Sequence, residues 1–282
     1  MVKSAPLFKY NAMTNQYPHY KLHKDPLSLV LCQIKFSKVR TMPDLIPQIH
    51  ELLRKEGFPV DVSSTVQQVM ITPGNDPQIT EIKQDEFRSK DNKWSLVINE
   101  EMLVLVTSAY DRFEGFAARL ERCLEIVDKI AGINAGLINR IGLRYVDVIN
   151  PQAGETYRDY LQPSLHGPTS SMFTDLNNWL HLESVGRTAL GTMIVRITQN
   201  DQGVVLPPDI IHKPMAYKMH IEPGSIITLV DSDHFVEGSW DYNLASIMDT
   251  VNELHKTINA AWFNDLVTPV ALKAWEAEIV KS

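Results

Sequence analysis

Two arginines set among core-forming residues are the strongest chemical signal in this chain. Residues 137–149, Leu-Ile-Asn-Arg-Ile-Gly-Leu-Arg-Tyr-Val-Asp-Val-Ile, read as a strand with Ile141, Leu143 and Tyr145 on one face. Arg140 and Arg144 share the other face, with Gly142 between them. A permanent cation on such a strand needs a partner, because an unpaired buried charge is costly. Arg187 and Arg196, on a hairpin of the second half, extend the set, and Glu183 and Glu237 are acids within reach. Four strand-borne arginines on one sheet face suit a phosphate or carboxylate, which their forked N–H groups bind in pairs. The same residues equally suit a structural Arg–carboxylate network, and the supply of nearby acids makes that the preferred reading.

A second constellation is Asp231-Ser232-Asp233-His234, closing a strand that starts at Ile226. Asp231 and Asp233 point the same way about 7 Å apart, a spacing that admits a hard cation such as Mg²⁺ or Mn²⁺. Solvated acids ending a strand are the simpler interpretation, so no cofactor is expected as resident. His19 and His23 have a metal-like spacing only on a helix, which Pro18 opposes. His255 flanks the apolar stripe of a long helix and reads as a packed or exposed helix residue rather than a catalytic base. Arg119 and Arg122 lie close enough in sequence to Cys123 to lower its pKa, but nothing else marks a nucleophile there. Lys83, Arg88, Lys90 and Lys93 form a local basic run around a hairpin, best read as a solvated face. The chain has no Gly-x4-Gly-Lys-Ser/Thr, Gly-x-Gly-x-x-Gly, Gly-x-Ser-x-Gly or His-Glu-x-x-His motif. That lowers the weight of the common NTPases, dinucleotide enzymes, α/β-hydrolases and zincins.

The elements that must hold these residues are legible by period. Val30, Cys32, Ile34 and Phe36 alternate as a strand, followed by a helix with Thr41 as N-cap, Pro43 in its first turn and Gly57 at its end. Short strands follow near 66–72, 82–89, 94–98 and 102–108. The last two form a hairpin around Asn99-Glu100-Glu101. Met102–Val106 is apolar on both faces, as a central or covered strand must be. Phe113, Phe116, Leu120, Leu124, Val127 and Ile130 keep helical spacing, with Asp111 as the expected cap and Gly132 as the stop. In the second half, 180–188 and 192–198 pair as a hairpin. Residues 217–221 and 226–235 pair through Glu222-Pro223-Gly224-Ser225, and Asp241 caps a helix with Leu244, Ile247, Val251, Leu254 and Ile258 inward. A last helix from Thr268-Pro269 buries Leu272, Trp275 and Ile279. The predicted fold is α+β, mainly antiparallel, with long amphipathic helices packed on one side. An aromatic, an Asp and a long helix recur at an offset of 130 residues (Tyr110-Asp111, Trp240-Asp241), which suggests a duplicated strand–helix unit. The chain divides into a polar arm (1–26), a first α+β half (27–150), a linker or surface insert (151–179) and a second half (180–282), packed as one unit.

Composition bounds the function. The 282 residues carry a formal net charge of −7, and 44% are hydrophobic, the profile of a globular protein. Residues 1–150 hold 19 Lys+Arg against 18 Asp+Glu, and residues 151–282 hold 8 against 16. A net of −8 on the second half disfavours nucleic acid as partner, since phosphate-backbone affinity comes from clustered cations. No apolar run reaches the roughly 18 residues of a membrane span. The start lacks an apolar stretch of signal-peptide length, and Cys32 and Cys123 read as buried thiols rather than a disulfide, so a cytoplasmic location is expected.

Several segments together carry a resemblance: Leu29-Val30-Leu31-Cys32-Gln33-Ile34-Lys35-Phe36, Arg140-Ile141-Gly142-Leu143-Arg144-Tyr145-Val146-Asp147-Val148-Ile149, Asp231-Ser232-Asp233, Leu254-His255, Trp262-Phe263 and Trp275. With them the chain resembles a sporadically distributed prokaryotic family of uncharacterised proteins, over about residues 27–278. Arg-x-Gly-Leu-Arg-Tyr is the most specific part. The resemblance implies one full-length unit and brings no catalytic residues. Its patchy distribution associates it with defence or mobile-element genes. The resulting expectation is a binding or regulatory protein that self-associates through the doubly apolar strand and has a protein partner from the same operon. The alternatives are an enzyme or sensor for a phosphorylated small molecule, using the arginines and the Asp pair, and a nucleic-acid binder using the basic run.

Overall fold

A computed structural model describes residues 19–62, 64–70, 78–152, 154–167, 179–210 and 225–280. In chain order the elements are β1 (His19–Leu22), β2 (Leu27–Phe36), α1 (Met42–Leu53), β3 (Val60–Asp61), β4 (Ser64–Met70), β5 (Gln78–Arg88), β6 (Trp94–Ile98), β7 (Met102–Thr107), α2 (Phe113–Ala131) and β8 (Leu137–Ile149). Then follow α3 (Tyr157–Tyr160), β9 (Trp179–Arg187), β10 (Thr192–Asn200), β11 (Ile227–Asp241), α4 (Leu244–Ala261), a π-helical turn (Trp262–Leu266), α5 (Pro269–Ala274) and β12 (Ala277–Val280). The fold is α+β as the periodicities predict. One antiparallel sheet runs β3-β5-β6-β7-β2-β8-β11-β10-β9, with β4 also pairing with β5, and β1 pairs separately with β12.

The order of elements explains the recurrence at 130 residues. A strand, then a three-strand meander, then a long helix occurs twice: β2, β5-β6-β7, α2 and again β8, β9-β10-β11, α4. The two lead strands pair with each other at the centre of the sheet, so the strand order reads outward alike from the β2/β8 seam.

Alternation decides which side chains meet the helices. Val30, Cys32, Ile34 and Phe36 of β2, with Ile141 and Leu143 of β8, pack with Phe116, Leu120, Leu124 and Val127 of α2 and Ile247, Val251, Leu254 and Ile258 of α4. Each such side chain, fully buried, contributes roughly 1.5–3 kcal/mol. The other face is also covered from within the chain: Leu29, Val97, Val104, Val106 and Val146 cluster with Ile210 of the segment after β10, and Leu206 packs on them. This accounts for a β7 that is apolar on both faces. Among the described residues no helix is long and apolar enough to cross a membrane.

Local departures from the sequence reading have physical causes. Arg112, not Asp111, is the N-cap of α2. Asn243 rather than Asp241 caps α4, its Oδ1 accepting from the Ser246 N–H at 2.9 Å, because β11 continues through Asp241. The ladder between β11 and β8 shifts register between Glu237 and Trp240. The terminal helix ends at Ala274. Glu276 adopts a left-handed φ of 51°, turning the chain so that 277–280 pairs with β1, and Ile279 is left exposed. Thus β1 gives residues 19–22 of the expected arm a partner 255 residues away or more. The expected strand at 217–221 and its Pro-Gly turn lie outside the described residues.

Candidate functional site

Three of the four arginines of the sequence reading, Arg140, Arg144 and Arg196, are brought together with Asp231 and Asp233. Arg144 is buried and donates from Nε and Nη2 to the two oxygens of Asp231 (2.6 and 2.7 Å). It also donates from Nη1 and Nη2 to Asp209 (2.6 and 3.0 Å). These bonds occupy four of the five donors a guanidinium has. Burial alone would depress the Arg144 pKa; its hydrogen bonds to Asp209 and Asp231 outweigh this and raise it. Hydrogen bonding to Arg144 in turn lowers the pKa of Asp209. Arg196 bridges Asp231 (3.1 Å) and Glu183 (2.6 Å). Arg140 donates to Glu237 at 2.8 Å, stands 3.6 Å from Asp233 and lies 3.7 Å above the Phe235 ring.

Gly142 makes this possible. A Cβ there would meet Phe235 Cβ at 3.3 Å and two Arg140 guanidinium nitrogens at 3.5 Å. Arg187 is exposed on β9, three strands from β8, roughly 14 Å at the usual strand spacing. A cavity of about 330 Å³ borders this network, lined in part by Gln33, Met102, Arg140, Arg144, Asp209 and Asp233. Among the described residues no group of three or more His, Cys, Asp or Glu is arranged to hold a metal ion.

The remaining candidates scatter. His23 pairs with Glu278 at 3.1 Å across β1 and β12. Arg88 of the basic run is buried and donates to Glu86 at 2.6 Å, which also accepts from Ser95, while Lys83, Lys90 and Lys93 are exposed. Cys32 and Cys123 are buried thiols, and burial raises the pKa of both.

A different cluster lies on the helix-facing side. The inward row of β8 runs Ile141, Leu143, Tyr145, Asp147, Ile149, so a carboxyl stands where an apolar side chain is due. Across the ladder, Ser232 of β11 sits opposite Tyr145 and diagonal to Asp147, roughly 7–8 Å away by sheet geometry. The C-terminal part of α4, with His255 and Ile258, and Trp262 of the π-helical turn roof the two strands. Tyr110 and Phe113, from the entry to α2, form one side. Tyr20 of β1, in ring contact with Phe263 at 4.9 Å, lies at the other. The cavity, partly open to solvent, has a volume of about 490 Å³, within the ~300–1,000 Å³ typical of small-molecule sites.

Within this cavity the Tyr145 hydroxyl is 2.8 Å from His255 Nδ1 and 3.2 Å from the Tyr110 hydroxyl. Phe113 stacks flat on His255, with centroids 4.1 Å apart and planes 1° from parallel. Burial raises the Tyr145 pKa well above the usual phenol value and pushes Tyr110 up to about 12, so both phenols stay neutral. Asp147 is 6% exposed. Burial first, then the charges of Asp25 and Asp231, raise its pKa well above the ordinary carboxylate range. The Ser232 hydroxyl, 1% exposed, has no hydrogen-bond partner among the described residues.

Asp147 and Ser232 are the site residues that the candidate set lacks. Their signal was the period-2 rule, which puts Asp147 in register with the apolar row Ile141, Leu143 and Tyr145, and Ser232 on the face opposite Asp231 and Asp233. His255, read from sequence as a packed or exposed helix residue, does pack on Phe113, but its ring also borders the cavity.

No protein-family model matches the chain, and no curated protein is similar to it.

Proposed function

We propose that this protein binds a small organic ligand in the cavity between α4 and strands β8 and β11. One observation carries the reading: the buried Ser232 hydroxyl, without a hydrogen-bond partner among the described residues, and the buried Asp147 carboxyl face the same aromatic-walled space. A buried polar group left unsatisfied costs about 1–3 kcal/mol, and one beside a buried carboxyl on the neighbouring strand marks a place built to satisfy something else. The surroundings are those of a binding site, with apolar and aromatic walls around a few convergent polar groups. The arginine network supports a structural role better than phosphate recognition, because Arg144, Arg196 and Arg140 already donate to Asp209, Asp231, Glu183 and Glu237.

The test is an NMR titration of the full chain with three phenylbutyl probes of equal length, bearing an alcohol, an amine and a carboxylate. Binding of at least one, with amide shifts centred on Tyr145, Asp147, Ser232 and His255, is expected. Absence of binding by all three up to millimolar concentration, or shifts centred elsewhere, overturns the reading.

A further inference from the structure

Resting on that reading, we infer that the ligand is an organic cation, an alkylammonium on an apolar or aromatic body, whose charged nitrogen seats against Asp147 with Ser232 beside it. The charge around the cavity has one sign at depth. Asp147 lies on its floor and Asp25 on its wall, close enough to act on each other, and Asp231 adds negative potential from the far side of the sheet. Asp111 and Glu114 add two acids at the rim, against Lys21 and Arg112, all four of them exposed. Exposed rim charges are screened by water and salt, so the buried carboxyl sets the preference. An anionic ligand would meet the negative potential of Asp25 and Asp231, whereas a bound cation supplies the counter-charge that lets Asp147 ionise despite its burial.

The walls fit the same ligand class. Tyr110, Phe113, Tyr145 and Trp262 line the space, and aromatic faces attract cations within about 6 Å of the ring centre. With both phenols neutral, the Tyr110–Tyr145–His255 chain adds no negative charge of its own and offers hydroxyl oxygens to an N–H donor. Ser232 contributes an acceptor whose position needs no rearrangement, since its neighbours on β11 are fixed in the ladder to β8.

Isothermal titration of the wild type with 4-phenylbutylamine, 4-phenylbutanol and 4-phenylbutyrate tests the inference. The amine should bind on the order of tenfold or more tighter than the alcohol, the step that a charged hydrogen bond adds over a neutral one, and the carboxylate should bind last. In Asp147→Asn the amine should fall to the level of the alcohol, whereas Ser232→Ala should weaken the amine and keep the ranking. Equal binding of amine and alcohol, or tightest binding by the carboxylate, overturns the cation while leaving the cavity as a binding site. An amine preference that persists in Asp147→Asn overturns Asp147 as the recognising group. Failure of all three probes removes the binding reading, and this inference with it. The wild-type ranking decides the matter even where a variant folds poorly.

Discussion

Removing the Asp231 carboxylate isolates the energetics of the arginine network. In Asp231→Ala, Arg144 loses two of its four bonds and Arg196 loses one, and the lost partner is 2% exposed. Truncating one side of a buried pair strands the other charge, at a cost of about 3–5 kcal/mol. Asp209 also makes two bonds to Arg144, but its side chain is 62% exposed. Water replaces it, so Asp209→Ala should cost only about 1 kcal/mol. At ~2–4 °C per kcal/mol for a protein of this size, the first variant should melt roughly 10 °C lower and the second only a few degrees lower. The double replacement Arg144→Met with Asp231→Leu removes both charges at once. It should recover most of the loss, as apolar substitution of buried ion pairs does. Urea unfolding with thermal melts as a check measures all three. If Asp209→Ala is as damaging as Asp231→Ala, or the double variant is no better than Asp231→Ala alone, burial is not what sets the cost and the argument fails.

Two further outcomes concern stability and reactivity. Because Asp147 has a raised pKa in the folded state, the wild type binds this proton more tightly folded than unfolded. Its contribution is therefore fully present below the unfolded value of about 3.9 and is lost as pH rises towards the folded one. Asp147→Asn should match the wild type near pH 4 and become progressively more stable than it towards neutrality; a stability gap that narrows with rising pH would contradict this. Burial raises the Cys32 pKa and pushes Cys123 up to about 12. Neither thiol should react with a disulfide reagent in the native protein, and both should react at the rate of global unfolding. Fast native labelling of either one would show that its region opens locally.

The sequence revealed those parts of the fold whose signal is local. The stripes of α2 and α4, the β6–β7 hairpin and the β9–β10 hairpin all follow from period and turn residues within a short window. Asp111 and Asp241 misled because a cap must sit directly before the first helical residue, and they lie one and two positions too early. The end of β11 and the reversal at Glu276 depend on a register shift and a left-handed φ, neither of which leaves a pattern in residue type. Ile279 kept helical spacing with Leu272 and Trp275 by coincidence. For the site, the pairing of Arg144 with Asp209 joins residues 65 apart through an irregular segment, beyond any local rule. Asp147 was within reach of the alternation rule, since it continues the face of Ile141, Leu143 and Tyr145. What surrounds it was not, because the cavity exists only where α4, β1 and the start of α2 meet over two central strands.

The placement of β1 and β12 has a consequence for synthesis. Strand β2 leaves the ribosome early, yet its two ladder partners, β7 and β8, emerge some 70 to 110 residues later. An antiparallel strand without neighbours stays solvated and prone to misassociation, and such long-range pairing slows folding. The cavity is later still. Its wall at Tyr20 is among the first described residues made, and its roof at His255, Trp262 and Phe263 is among the last. The β1–β12 ladder then joins residues 19–22 to residues 277–280 beside that roof. A chain cut short before α4 thus has every described strand of the central sheet available but lacks the roof of this cavity.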